Sequence, residues 1–217
     1  MWPWSPKQTK IKTASPVYES CWKIRTRLEP ILSGGKGYVL TVTSAGHGEG
    51  KSMTAANLAC TYAQQDKDVL LVDANFRNPT LHKLFGVSNR SGLSNLAEER
   101  YDVSEIVRCS KVPRLGLITS GPGGIDPIEL LTSSKLSAFL NEIRNDYDMV
   151  LIDAPAALEW SDAHMLASLS DGVLLVVKEG RTKREHVLKL KAALQEVGAE
   201  IVGAVFHYAH RRKASVG

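Results

Sequence analysis

Residues 39–52 read VLTVTSAGHGEGKS: a β-branched run breaks into a glycine-rich loop ending in Gly50, Lys51 and Ser52, and the helical pattern MTAANLACTYA follows at once. A strand that turns through such a loop straight into a helix has to lie in a sheet with the helix packed back against it, which narrows the fold to an α/β architecture. In that turn the backbone of Gly46, His47, Gly48, Glu49, Gly50, Lys51, Ser52 and Met53 can surround phosphate oxygens. Lys51 adds positive charge, and the Ser52 hydroxyl can join the shell of a Mg2+ ion. Glycine is required because a Cβ would hold the backbone off the phosphates. The full pattern G-x-x-x-x-G-K-[ST] asks for glycine at 45, where this chain has Ala45, so the strand before and the helix after carry much of the reading.

Further buried-strand patterns alternate with helical ones. Strands are expected at Val39–Thr43, Val69–Val72, Leu115–Thr119, Met149–Ile152, Val173–Val177 and Ile201–Phe206. Helices are expected at Ser52–Gln65, Ser134–Asn145, Asp162–Ser168 and Lys183–Val197, with shorter pieces at Leu81–Phe85, Leu93–Glu98 and Val103–Arg108. Near the start, Tyr18, Cys21, Trp22, Ile24, Leu28 and Ile31 recur at helical spacing from Pro16 to Leu32. Nearly continuous apolar strands separated by helices predict a mostly parallel sheet covered on both faces, with ligands beyond the carboxyl ends of the strands. The chain has 217 residues, 43% of them hydrophobic, enough for one α/β domain. Residues 1–15 read as a flexible leader, 16–208 as the nucleotide-binding domain and 209–217 as a short basic tail.

Two apolar runs end in an aspartate: Val69–Val72 leads into Asp73, and Met149–Ile152 into Asp153. Both are expected at the sheet edge where the loop lies. A lone strand-end aspartate caps a helix or shapes a turn, but two of them beside a phosphate loop fit Mg2+ ligation and the orientation of an attacking hydroxyl.

Composition excludes several classes. The 27 basic and 23 acidic residues give a net charge of +4, spread along the chain, so nucleic acid is not the expected partner. Cys21, Cys60 and Cys109 lack metal-ligand spacing and read as reduced thiols of a cytoplasmic protein. The N-terminal MWPWSPKQTK has no apolar run of signal-peptide length. No segment reaches the ~18 apolar residues of a membrane span, so work at the membrane requires recruitment by a partner.

The segments DANFRNP at 73–79, PTLHKLFG at 79–86, GLSNL at 92–96, the ITSGPGG and DPIELL passages within 118–131, and DYDMVLIDAP at 146–155 join the glycine loop in one order. Over about 15–208 the chain resembles the bacterial tyrosine kinases of capsule and exopolysaccharide synthesis, which are P-loop NTPases of three-layer α/β/α fold related to the deviant Walker ATPases. The resemblance implies ATP and Mg2+ as cofactors, with Lys51 and the loop on the phosphates. It implies Ser52, Asp73 and Asp153 at the metal, Lys51, Asp73 and Asp153 as the catalytic set, and Asp73 activating the acceptor tyrosine. It places Ser120–Pro127 and His207 on the adenine side, His207 standing where the family usually has asparagine. It also implies a membrane chain-length-determinant protein as activating partner, and a homo-oligomer.

The chain departs from the family at three places. Asn75 stands where the second acid of D-x-D-x-R is expected, Trp22 replaces the middle arginine-bearing position of the self-association motif that includes Glu19 and Arg25, and the end YAHRRKASVG lacks a tyrosine cluster. These departures favour, as the alternative, a degenerate ATP-binding regulatory subunit of the same export machinery. A positioning or partitioning ATPase is disfavoured because Gly46 stands where those proteins carry a signature lysine.

Overall fold

The computed structural model describes residues 16–32, 37–97 and 103–208; the leader and the basic tail lie outside them. The first helix, α1 (Pro16–Leu32), precedes β1 (Tyr38–Ser44), the glycine loop and α2 (Lys51–Ala63). Then follow β2 (Val69–Asp73), α3 (Leu81–Phe85), a 3-10 turn at Leu93–Ala97, α4 (Val103–Ile106), β3 (Arg108–Cys109) and β4 (Leu115–Ile118). The chain continues with α5 (Pro127–Thr132), α6 (Ser134–Asp146), β5 (Met149–Ala156), α7 (Asp162–Ser168), β6 (Gly172–Lys178), α8 (Arg184–Glu196) and β7 (Ile201–His207).

The seven strands lie in the order β3-β4-β2-β5-β1-β6-β7. All neighbours are parallel except β3 and β4. Alternation of side chains along each strand divides the core into two layers. Leu40, Leu71 and Leu151 face Leu28 of α1, Leu58 of α2 and Leu81 and Phe85 of α3. Val39, Leu70 and Val150 face Phe139 and Ile143 of α6, Leu166 of α7 and Leu190 of α8. The expected parallel sheet with helices on both faces is what the chain forms, and all six expected strands are present within a few residues of their expected ends.

Two elements go beyond the sequence reading. β3 is a two-residue antiparallel edge, too short to leave a periodic pattern. α5 begins where the Asp126 side chain accepts from the Ile128 N–H and Pro127 occupies the first turn, a start that costs no backbone donor.

The N-terminal end of β1 is pinned from across the fold. Arg144 of α6 pairs with Asp171 at 2.5 Å and donates to the Gly37 carbonyl, while Asp171 accepts from the Val39 N–H at 2.7 Å. Asp171→Ala leaves that N–H and guanidinium without their partner, so we expect a loss of roughly 1–3 kcal/mol in urea unfolding, toward the lower end because the pair is partly exposed.

Candidate functional site

β1 delivers the chain into the loop at the carboxyl edge of the sheet, between β5 and β6. Gly48 and Gly50 sit at φ 73° and 103°, in the left-handed region that side-chain-bearing residues avoid. Gly50 is the N-cap of α2, and no side chain caps that helix. Its first N–H groups therefore remain available, the arrangement that binds anions. A cleft of about 270 Å3 opens over the loop, lined by His47, Gly48, Gly50, Lys51, Ser52 and Met53 on one side and Asn75, Asn78, Thr80 and Leu84 on the other.

Lys51 is buried, and desolvation holds its ammonium below the usual lysine range against the opposing pull of Asp153, Glu49 and Glu159. Asp73 and Asp153 stand in register on adjacent strands, both wholly buried. The Asp73 carboxylate is held by three backbone donors. Asn75 donates to Oδ1 at 3.2 Å, and Thr80 and Leu81 donate to Oδ2 at 3.0 Å each. Burial raises its proton affinity and these bonds lower it, with burial the larger effect. Asp153 has no such support: both carboxylate oxygens are buried without a hydrogen-bond partner. Burial and then the charge of Asp73 push its proton affinity up. The nearby Ser52 hydroxyl and Lys51 lower it without closing a bond of good geometry to either oxygen.

A native buried carboxylate left without partners points to a missing ligand. Here the carboxylate lies beside a desolvated ammonium and an uncapped helix start, so the residues fit a metal–phosphate group. Among the described residues no three His, Cys, Asp or Glu side chains cluster as a self-sufficient metal site. Mg2+ suits this arrangement, since it is commonly held by one or two carboxylates with the remaining shell from phosphate and water.

The remaining candidates fall into place around this centre. Ser52 and Met53 line the cleft, while Glu49 is buried with Oε2 unpartnered. Asn75 accepts the Asn78 N–H through its side-chain oxygen, so the residue that replaces an acid shapes the loop opposite Lys51. His207 lies against α2: Thr54 Oγ1 is 3.0 Å from the Gly50 carbonyl and 2.8 Å from His207 Nε2. A carbonyl only accepts, so the hydroxyl donates there and accepts from Nε2–H, which leaves His207 Nδ1 as an acceptor.

Ser120–Pro127 follows β4 and His207 ends β7, and β2, β5, β1 and β6 lie between those two strands in the sheet. The 120–121 backbone is engaged with 89–95. Gly121 exchanges hydrogen bonds with the Asn89 side chain, and Ser94 donates to the Ser120 carbonyl.

Trp22 has an internal role, packing on the α1–α2 face with the Arg25 guanidinium 5.1 Å from its ring and 5.6 Å from that of Tyr62. Sequence reasoning also missed Glu159, which accepts the His47 N–H at 2.8 Å, and Lys178, which donates to the Gly48 carbonyl. Glu159 lies on the turn after β5 and Lys178 at the end of β6, both distant in sequence and brought to the glycine turn by the β5-β1-β6 order, and neither belongs to a local motif.

The chain matches the AAA domain family over residues 38–202. It is 39% identical over 184 residues, 85% of this chain and 78% of the relative, to the tyrosine-protein kinase YwqD of Bacillus subtilis. It is 33% identical over 88% of its length to EpsB of Ralstonia nicotianae, of which the match spans only 26%. The kinase domain of Escherichia coli tyrosine kinase ETK superposes with a TM-score of 0.89 at 28% identity, over 100% of this chain and 85% of that one.

A buried carboxylate with raised proton affinity contributes most to stability below the ordinary carboxylate range and loses that contribution as pH rises through its folded titration. Asp153→Asn is therefore expected to stabilise the ligand-free protein at neutral pH by roughly 1–3 kcal/mol. The advantage over wild type should shrink toward acid pH, as urea unfolding across a pH series will register.

Proposed function

The chain belongs to the family of bacterial tyrosine kinases, and we propose that it transfers the terminal phosphate of ATP to a protein tyrosine and thereby regulates capsular or exopolysaccharide synthesis and export. The observation that carries the proposal is the unpartnered, fully buried Asp153 carboxylate beside Lys51 at the uncapped start of α2.

Each residue then has a task. Lys51 and the loop N–H groups hold the phosphates, and the burial that lowers the lysine's proton affinity also strengthens its pull on an oxyanion. Ser52 and Asp153 would hold Mg2+, which when bound neutralises charge developing on the transferred group. Asp73 Oδ1 accepts one backbone bond where Oδ2 accepts two, leaving it the freer oxygen to orient the acceptor hydroxyl. As the tyrosine oxygen bonds to phosphorus and the bond to the ADP oxygen breaks, the phenolic proton passes to Asp73, whose proton affinity burial has raised. His207 Nδ1 can accept from the adenine amine.

Among the described residues no helix is long and apolar enough to cross a membrane. Together with the longer relative, in which the matched region is one part of a larger chain, this supports a cytoplasmic protein recruited to the membrane by the cytoplasmic segment of a chain-length determinant. Tyr208, at the end of β7, is 75% exposed, while burial raises the proton affinity of Tyr38, Tyr62 and Tyr147. Tyr208 is accordingly the accessible internal acceptor among the described residues.

The alternative of a nucleotide-binding regulatory subunit is favoured by one observation: Asn75 lines the cleft without the negative charge the family places there.

Incubation with labelled ATP and Mg2+, with and without the partner's cytoplasmic segment, should label tyrosine. Lys51→Ala should lower that labelling by about 100-fold or more, and full turnover in that variant refutes the site. Asn75→Asp should raise phosphotransfer; tight ATP binding with no phosphotyrosine in either protein favours the regulatory subunit.

A further inference from the structure

The loop N–H of His47 is already engaged. It donates to Glu159 Oε1 at 2.8 Å, and the same oxygen lies 3.6 Å from where a side chain at Gly46 would begin. Among the described residues the Glu159 carboxylate makes no other hydrogen bond or ion pair. Its charge reaches Lys51, whose proton affinity Asp153, Glu49 and Glu159 each raise. Glu159 is exposed, on the turn that follows β5, whereas Glu49 is buried within the loop itself. Of the two glutamates at the loop, Glu159 is the one free to leave.

We propose that Glu159 occupies, in the nucleotide-free protein, an anion position of the phosphate loop, and that it thereby separates nucleotides by whether their terminal phosphate claims the His47 N–H. The inference rests on the nucleotide site assigned above and deepens it. Loop N–H groups of this kind serve phosphate oxygens. A carboxylate on one of them is a built-in competitor, and a phosphate arriving there must break a charge-assisted bond and expel a like charge. His47 lies four residues before Lys51, on the strand side of the loop, and under this proposal its N–H is taken by the terminal phosphate of a triphosphate. A diphosphate seated deeper leaves Glu159 in place. Gly46 matters here because it presents no side chain to the carboxylate; a lysine at that position would pair with Glu159 instead.

Displacement has a visible consequence. The turn carries the exposed Leu158 and Trp160, and the Trp160 ring lies 4.3 Å from the Arg77 guanidinium, which is itself paired with buried Asp162. When Glu159 leaves the loop, Trp160 is drawn along its stack on Arg77, and its emission changes with a triphosphate and not with a diphosphate.

The test is equilibrium binding of ADP and of a non-hydrolysable ATP analogue, each with Mg2+, to wild type, Glu159→Gln and Glu159→Ala, with tryptophan emission followed in the same titrations and Trp160→Phe identifying the part that Trp160 contributes among the four tryptophans. Glutamine keeps the shape and removes the charge; alanine removes both. Both variants should bind the triphosphate about tenfold more tightly than wild type, with ADP affinity changed less than about twofold. Equal tightening of both nucleotides, no change, or weaker triphosphate binding overturns the inference. Lys51→Ala separates the two layers. If it abolishes binding of both nucleotides while the Glu159 variants behave as wild type, the site stands and the competitor role falls. A wild type that binds neither nucleotide removes both.

Discussion

Asp73 and Asp153 occupy paired positions on neighbouring parallel strands, buried together at the edge where the glycine loop begins. Two buried carboxylates that close repel each other and are each costly to ionise. The fold resolves this unevenly. Asp73 is anchored by three backbone amides from the segment leading into α3, so its charge also organises the wall of the cleft. Asp153 is left with no partner and with Lys51 close by. The unevenness separates two carboxylates that the sequence treats alike: one that anchors the loop leading into α3, and one left open beside Lys51.

The same edge gathers charge from strands that are far apart in the chain. β1 supplies the loop, β5 supplies Asp153 and then Glu159, and β6 ends in Lys178, with Arg181 just beyond it near Gly48. Lys51 is surrounded by this set. The anions raise its proton affinity, while burial and Arg181 lower it. A phosphate group entering such a site meets oriented N–H groups and a lysine already stripped of water, which is electrostatic preorganisation in the sense relevant to phosphoryl transfer.

Much of this was legible in the residues. The strand, glycine turn and helix at 39–63 announced themselves because turn chemistry and apolar period changed within a few positions, and the strand-end aspartates were readable because each followed four apolar residues. β3 was not, since two residues pairing antiparallel at an edge leave no period to detect. Strand order was not legible either, so the four strands between β4, which leads into Ser120–Pro127, and β7, which ends in His207, leave no trace in the local patterns. The partition of labour between Asp73 and Asp153 depends on which backbone amides point where. The contact of Glu159 with His47 depends on a turn whose direction no local pattern encodes.

Burial and the charge of Asp73 raise the proton affinity of Asp153, and a metal ligand must shed its proton, so uptake of Mg2+ with ATP at this carboxylate is expected to release protons. Calorimetric titration of Mg2+ and the non-hydrolysable analogue into the protein at neutral pH, repeated in buffers of different ionisation enthalpy, measures the protons exchanged on binding. Net proton release is expected from wild type and is expected to disappear in Asp153→Asn. Binding without proton release, or the same release in both proteins, would contradict this.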